Sequence, residues 1–157
     1  MIKQIHIYDM DGTIVCSKHR YRTRIAEDGS EKIDLQYWLE NEDKAMFDDL
    51  LPLAKQYQSD LLDPETMVVI ATARHIKAPD LWFIRNILGM PDYLVCRETR
   101  ADQRSGALLK ILGIQTILST FVKKPILRFW EDNREYLNQV CDAVGAEPYF
   151  VPSEQGH

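Results

Sequence analysis

Positive charge is in deficit in this chain: 19 lysines and arginines face 24 aspartates and glutamates, a formal net charge of −5 at pH 7. A chain so balanced does not coat nucleic acid through a continuous basic surface, so any polyanion must be met locally. Cysteine is scarce, and Cys16, Cys96 and Cys141 are odd in number with no metal-ligand spacing, which argues against a disulfide framework or a zinc site and for reduced thiols. No apolar run approaches the ~20 residues of a membrane-spanning helix. No charged-then-apolar leader precedes the first strand, so a cytoplasmic location without a membrane partner is expected. A glycine-rich loop ending in Lys-Ser/Thr is missing as well, so ATP-dependent phosphorylation by a P-loop is not expected. With no repeat, linker or low-complexity tract, the 157 residues read as one domain over 1–152 with a frayed tail at 153–157, large enough to bury a core without staples.

What the chain does have is a set of apolar runs alternating with helical periodicities. Ile2 to Tyr8 reads as the first strand. The polar stretch after it, with the turn sequence Glu27-Asp28-Gly29-Ser30, reads as a small cap insertion over about 15–51 carrying one or two short helices around Leu35, Trp38, Leu39, Met46 and Phe47. Pro52 suits the first turn of a helix that buries Leu53, Ala54 and Tyr57. Met67–Ala71 is a continuous apolar run, the pattern of a strand covered on both faces. A helix opened by Pro79 and stopped by Gly89, a strand at Tyr93–Cys96 and a helix from about Gln103 to Leu112 follow. In that last helix Ala107, Leu108, Ile111 and Leu112 are expected in the core and Lys110 at the sheet rim. Ile126–Trp130 is the next strand, then a helix with Tyr136, Leu137, Val140 and Val144 closing near Gly145, then an edge strand from Pro148 to Val151. Alternating strands and helices imply right-handed crossovers and an α/β, Rossmann-like, doubly wound parallel sheet of about five strands.

Ile5-His6-Ile7-Tyr8-Asp9-Met10-Asp11-Gly12-Thr13 carries the first chemical signal. Residues two apart in a strand share a face, so Asp9 and Asp11 are expected to converge where the chain turns at Gly12. Two carboxylates that close repel unless a cation joins them or one keeps its proton, so the pair predicts a metal. Further candidates fall at other strand ends: Thr72, Ala73 and Arg74, then Arg97, then Glu131 and Asp132. A βαβ fold gathers those ends at a single edge.

Asp-x-Asp-Gly-Thr after a strand, a strand-terminal Thr72, Lys110 on a helix and the acidic pair Glu131-Asp132 resemble, in that order, the motifs of the haloacid dehalogenase superfamily of aspartate-nucleophile phosphotransferases. The resemblance implies Asp9 as nucleophile, Asp11 as general acid and base, and Thr72 and Lys110 as braces for the phosphoryl oxygens. It also implies Mg²⁺ held by Asp9, the Asp11 backbone carbonyl and Asp132; Glu131 stands where the family more commonly has Asp or Gly, and from that departure it is expected to reach the ion through water. Ala71-Thr72-Ala73-Arg74, Cys96-Arg97-Glu98 and Glu131-Asp132-Asn133-Arg134 further resemble the 3′-phosphatase domain of bacteriophage-type polynucleotide kinase/phosphatases, which implies that Arg74 and Arg97 contact substrate phosphate; Gly12, Thr13 and Ala73 are expected to bind substrate as well.

The expected activity is therefore Mg²⁺-dependent hydrolysis of a phosphomonoester, on DNA or RNA 3′ ends or on a nucleotide. The alternatives are a nucleotidase-like small-molecule phosphatase and a catalytically silent module that binds nucleic-acid ends. The short cap leaves an open site, and the basic run Lys18–Arg24 is expected to meet flanking phosphates, with Tyr21 or Trp38 stacking on a base.

Overall fold

The structure, a computed structural model, describes residues 1–154, so the end of the expected tail, 155–157, lies outside the described residues. In chain order its strands are β1 (Gln4–Tyr8), β2 (Val15–Cys16), β3 (Thr23–Ile25), β4 (Glu31–Ile33), β5 (Asp49–Leu50), β6 (Thr66–His75), β7 (Tyr93–Arg97), β8 (Ile126–Glu131) and β9 (Glu147–Phe150). Its helices are α1 (Leu35–Glu40), α2 (Ala54–Asp60), α3 (Ala78–Phe83), α4 (Gly106–Leu118) and α5 (Arg134–Val144). Among the described residues no helix is long and apolar enough to cross a membrane, and all three cysteines are free.

Five strands form one parallel sheet in the order β7-β6-β1-β8-β9. β1 is central because both of its faces are buried: Ile5 and Ile7 join the apolar cluster under α4 and α5 with Phe129, Ile114 and Val140, while Tyr8 joins the cluster with Ala54, Tyr57 and Phe83 on the opposite face. The chain moves outward from β1 to β6 and β7, then returns to β8 on the other side of β1. That reversal places the switch point of the fold between the carboxyl ends of β1 and β8, where open α/β sheets leave a crevice.

Two local expectations are corrected. The strand expected to stop at Ala71 runs on to His75, with a register shift between Ala71 and His75, so Thr72, Ala73 and Arg74 sit in its irregular last turn rather than after it. α4 continues to Leu118, and Leu108 and Leu112 are exposed, while Ala107, Lys110, Ile114 and Ile117 face inward. The buried stripe follows spacings of three and four from Ala107, which puts a lysine on the core side of the helix. α4 also lies close on the sheet, since a Cβ on Gly113 would overlap the Val95 side chain.

The segment between β1 and α2 is closed at its base by an antiparallel ladder that pairs Val15 with Leu50 and Cys16 with Asp49. Within it stand the β3–β4 hairpin, α1 and a 3-10 segment at Glu42–Phe47. Tyr21, Ile33 and Trp38 of this segment line a cavity together with residues at the carboxyl ends of β1, β6 and β8.

Candidate active site

Asp9 is the first residue after β1, held in place by its backbone N–H donating to the Trp130 carbonyl at 2.9 Å across the switch point. The chain then reverses tightly: the N–H groups of Thr13, Ile14 and Val15 all donate to the Met10 carbonyl, and Gly12 adopts a φ of 78°. Position 12 admits only glycine on a second ground, because a Cβ there would fall on the Asp132 carboxylate and 2.6 Å from Ser153 Oγ. Gly12→Ala is expected to cost about 1–3 kcal/mol in urea unfolding, from strain and displaced neighbours together.

Around Asp9 the structure assembles residues from three elements. Lys110 reaches in from α4, 1% exposed, and its Nζ donates to Asp9 Oδ1 at 2.8 Å and to Glu131 Oε2 at 2.5 Å. Thr13 Oγ1 donates to Asp9 Oδ2 at 3.1 Å. Glu131 and Asp132 follow from β8, and Asn133 caps α5 by accepting from the Tyr136 N–H at 3.0 Å. Oxygens of Asp9, Glu131 and Asp132 lie within 4.8 Å of one another. Among the described residues Asp132 Oδ2 is buried with no hydrogen-bond partner.

The electrostatics follow from that crowding. Burial, then the Glu131 charge, pushes the Asp9 carboxyl up to about 7 against the pull of Lys110. Burial, then Asp9, does the same to Asp132, also to about 7. Glu131 is raised by burial too. Burial alone would lower Lys110, but Asp9 and Glu131 hold it above the ordinary lysine value. Asp9 and Glu131 share the Lys110 ammonium and Asp132 stands beside them, an excess of negative charge that hard oxygen ligands resolve by taking a divalent cation. The orphaned Asp132 oxygen is the kind of donor such an ion would satisfy.

Asp11 is placed differently from Asp9. Its carboxylate turns to Arg74, which donates from Nε at 3.1 Å and from Nη2, and to Ser17 Oγ at 2.9 Å. Burial pushes this carboxyl up, but the Arg74 guanidinium outweighs it and holds Asp11 below the usual carboxylate range. Thr72 is buried, with its Oγ1 accepting from the Arg74 N–H at 3.1 Å. Asp9, Asp11, Thr72, Ala73, Arg74, Lys110, Glu131 and Asp132 all line one cavity of about 180 Å³, together with Tyr21, Trp38 and Tyr136.

Arg97 is not among that cavity's lining. It braces the loop after β7 by donating to the carbonyls of Ala73, Asp102 and Arg104, and it lines an adjoining groove with Arg100 and Arg104. In the basic run Lys18–Arg24 only Arg20 is buried, against Asp48, while Lys18, His19, Arg22 and Arg24 are exposed, Lys18 pairing with Glu154, His19 with Asp48 and Arg22 with Asp34. Asp48 and Asp80, which grip Arg74 from behind, carry no motif that sequence reading could have caught.

A family model described as Bacteriophage T5 5'-deoxynucleotidase matches residues 1–97, the stretch from β1 through β7. The 5'-deoxynucleotidase of Escherichia phage T5 is 34% identical over 88 residues, 54% of this chain and 35% of that protein, so the chain matches about a third of this curated relative's length. Among solved structures, a chain of the Pnkp1/Rnl/Hen1 complex superposes with a TM-score of 0.64 at 16% identity, over 98% of this chain and 47% of its own length. A chain of the Pnkp1/Rnl/Hen1 RNA repair complex does so with the same score and identity over 44% of its length. Likeness at that identity speaks for the fold.

Proposed function

The chain belongs to the bacteriophage T5 5'-deoxynucleotidase family, and from that premise we propose that it is a phosphomonoester hydrolase acting on nucleotides through an aspartyl-phosphate. The observation that carries the reading is Asp9: a buried carboxylate at the switch point, held by Lys110 and Thr13 and set beside Glu131 and Asp132. Its haloacid dehalogenase character, its single domain over 1–152 with the insertion at 15–51, and its Mg²⁺ requirement are parts of the same proposal.

In the first step an Asp9 carboxylate oxygen attacks phosphorus in line, the ester P–O bond breaks, and Asp11, which Arg74 holds as a carboxylate in the resting site and which therefore takes up a proton as substrate enters, gives that proton to the departing alkoxide. Asp11, now a carboxylate, takes a proton from water as that water attacks phosphorus and the P–O bond to Asp9 breaks. The products are the alcohol and inorganic phosphate. Lys110 and Thr72 hold the phosphoryl oxygens as charge shifts onto them. Asp9, the Asp11 carbonyl and Asp132, with Glu131 through water, would hold a Mg²⁺, which would supply positive charge to offset repulsion between an anionic nucleophile and an anionic substrate. Arg74, whose donors are spread over Asp11, Asp48 and Asp80, orients Asp11 rather than the substrate.

A deoxynucleoside 5′-monophosphate is the first reading, supported by the family match and by Arg20 of the basic run being turned inward onto Asp48. A nucleic-acid 3′ end is the second reading, supported by Arg100 and Arg104 on the adjoining groove. Phosphate release from a deoxynucleoside 5′-monophosphate and from a 3′-phosphorylated oligonucleotide, each with Mg²⁺ and with chelator, separates the two. Turnover is expected with Mg²⁺ and the mononucleotide, and to disappear in chelator. Absence of turnover on any phosphomonoester would end the reading.

A further inference from the structure

Two buried arginines meet behind Asp11. Arg20, on the 3-10 turn Lys18–Arg20, is 1% exposed. It lays its guanidinium on Asp48 as a fork, Nε to Oδ1 at 2.8 Å and Nη2 to Oδ2 at 2.9 Å, and its far face rests on the Trp38 ring 4.2 Å away. The Asp48 side chain is wholly buried. Its Oδ1 also meets His19 Nε2 at 2.8 Å, and its Oδ2 accepts from Arg74 Nη2 at 3.3 Å. Arg74 spends Nη1 on Asp80 Oδ1 at 2.5 Å and turns Nε and Nη2 toward Asp11. Asp80 is itself fixed by the Lys77 N–H at 2.9 Å.

A guanidinium is a rigid plane, so two grips decide where its remaining donors point. Asp80 grips the Arg74 plane from α3 and Asp48 from the insertion, and what remains points at Asp11. Buried ion networks are a poor way to gain stability, since apolar side chains of like volume serve as well or better. A network buried at Arg20, Asp48, Arg74 and Asp80 that ends on Asp11 is explained by what it orients.

Resting on the assignment of Asp11 as proton donor and acceptor, we propose that Asp48 is a positioning residue: acting through Arg74, it sets where the Asp11 carboxyl stands against the leaving oxygen, and Arg20 holds Asp48 in place. Neither Asp48 nor Arg20 lines the cavity that holds Asp9. The insertion is thereby tied to the proton-transfer group and not only to the rim of the site.

The test compares two esters. A deoxynucleoside 5′-monophosphate loses an alkoxide that needs the Asp11 proton, whereas 2,4-dinitrophenyl phosphate loses a stable anion that does not. In Asp48→Asn, kcat on the nucleotide is expected to fall roughly a hundredfold, with KM held within about twofold. On the dinitrophenyl ester the same variant should release a burst of dinitrophenolate at the wild-type rate, followed by slow turnover, because only hydrolysis of the aspartyl-phosphate still needs Asp11. A uniform loss on both esters without a burst, or no loss on either, overturns the inference. Arg20→Lys keeps the charge and loses the fork; should Asp48→Asn not fold, the same split in Arg20→Lys supports the proposal and a uniform loss overturns it. Wild-type protein that hydrolyses neither ester removes the phosphatase reading and this inference with it; wild-type turnover on both without the split in the variants removes only the inference.

Discussion

Replacing Asp9 by asparagine is expected to abolish phosphate release from every phosphomonoester, by about 10⁴-fold or more, while the chain stays folded. An amide oxygen does not attack phosphorus, and nothing else within reach of the cavity is a nucleophile of the same placement. The fold survives because the amide keeps the shape of the carboxyl: its oxygen can accept from Lys110 Nζ, and its nitrogen can donate to Thr13 Oγ1, the hydroxyl turning from donor to acceptor. Stability should even rise under alkaline, metal-free conditions. The Asp9 carboxyl stands at about 7 in the folded chain against an ordinary 3.8, so between those values the folded state keeps a proton that the unfolded state releases. Wild-type stability contributed by this group is complete at acid pH and falls as pH rises through that window. The amide has no proton to lose there, so at pH 8 in chelator the Asp9→Asn variant should unfold at a higher temperature than the wild type. Phosphate release and thermal unfolding measured on the same preparation check both halves; unchanged turnover would remove Asp9 as the nucleophile.

Lys110→Met is expected to destabilise the metal-free chain by ~3–5 kcal/mol, the usual effect of stripping one partner from a buried ion pair, and to abolish turnover as well. Methionine fills most of the volume, so a cavity is not the cause. The lysine lies between the Phe129 and Tyr136 rings, 5.8 and 5.6 Å from their centroids, and its ammonium is the cation that Asp9 and Glu131 share. Without it, three carboxylates face one another in a buried cleft. Urea unfolding in chelator at pH 8 reads the loss directly. Mg²⁺ should recover part of it, and so should acid, which protonates the carboxyls that Lys110 no longer balances. An unfolding midpoint equal to that of the wild type under all three conditions would show that Lys110 does not compensate these charges.

Much of this was legible from local pattern. The alternation of Ile5 and Ile7 with Tyr8, the apolar run at Met67–Ala71 and the glycines at 12, 89 and 145 speak through neighbours a few residues away, because strand pairing faces and positive φ are short-range matters. The order of strand ends named Asp9, Asp11, Thr72 and Asp132, and the family resemblance built on that order added Lys110 on a helix; the structure gathers all five around one cavity. The face of α4 was misread because Leu108 and Leu112 look like core, whereas the helix turns Lys110 inward and leaves both leucines at the surface.

What the sequence alone determined is therefore the doubly wound sheet and the short set of polar residues at its carboxyl edge, since periodicity and crossover handedness follow from covalent geometry and local sterics. Only the tertiary structure decided how those residues are shared out: Lys110 to Asp9 and Glu131, Arg74 to Asp11, Arg20 to Asp48, and Arg97 to backbone carbonyls instead of the cavity. A charged side chain binds whichever opposite charge the fold leaves nearest in the driest place. That distance, spanning up to 101 positions of chain between Asp9 and Lys110, is set by the packing of helices on the sheet and is written in no local pattern.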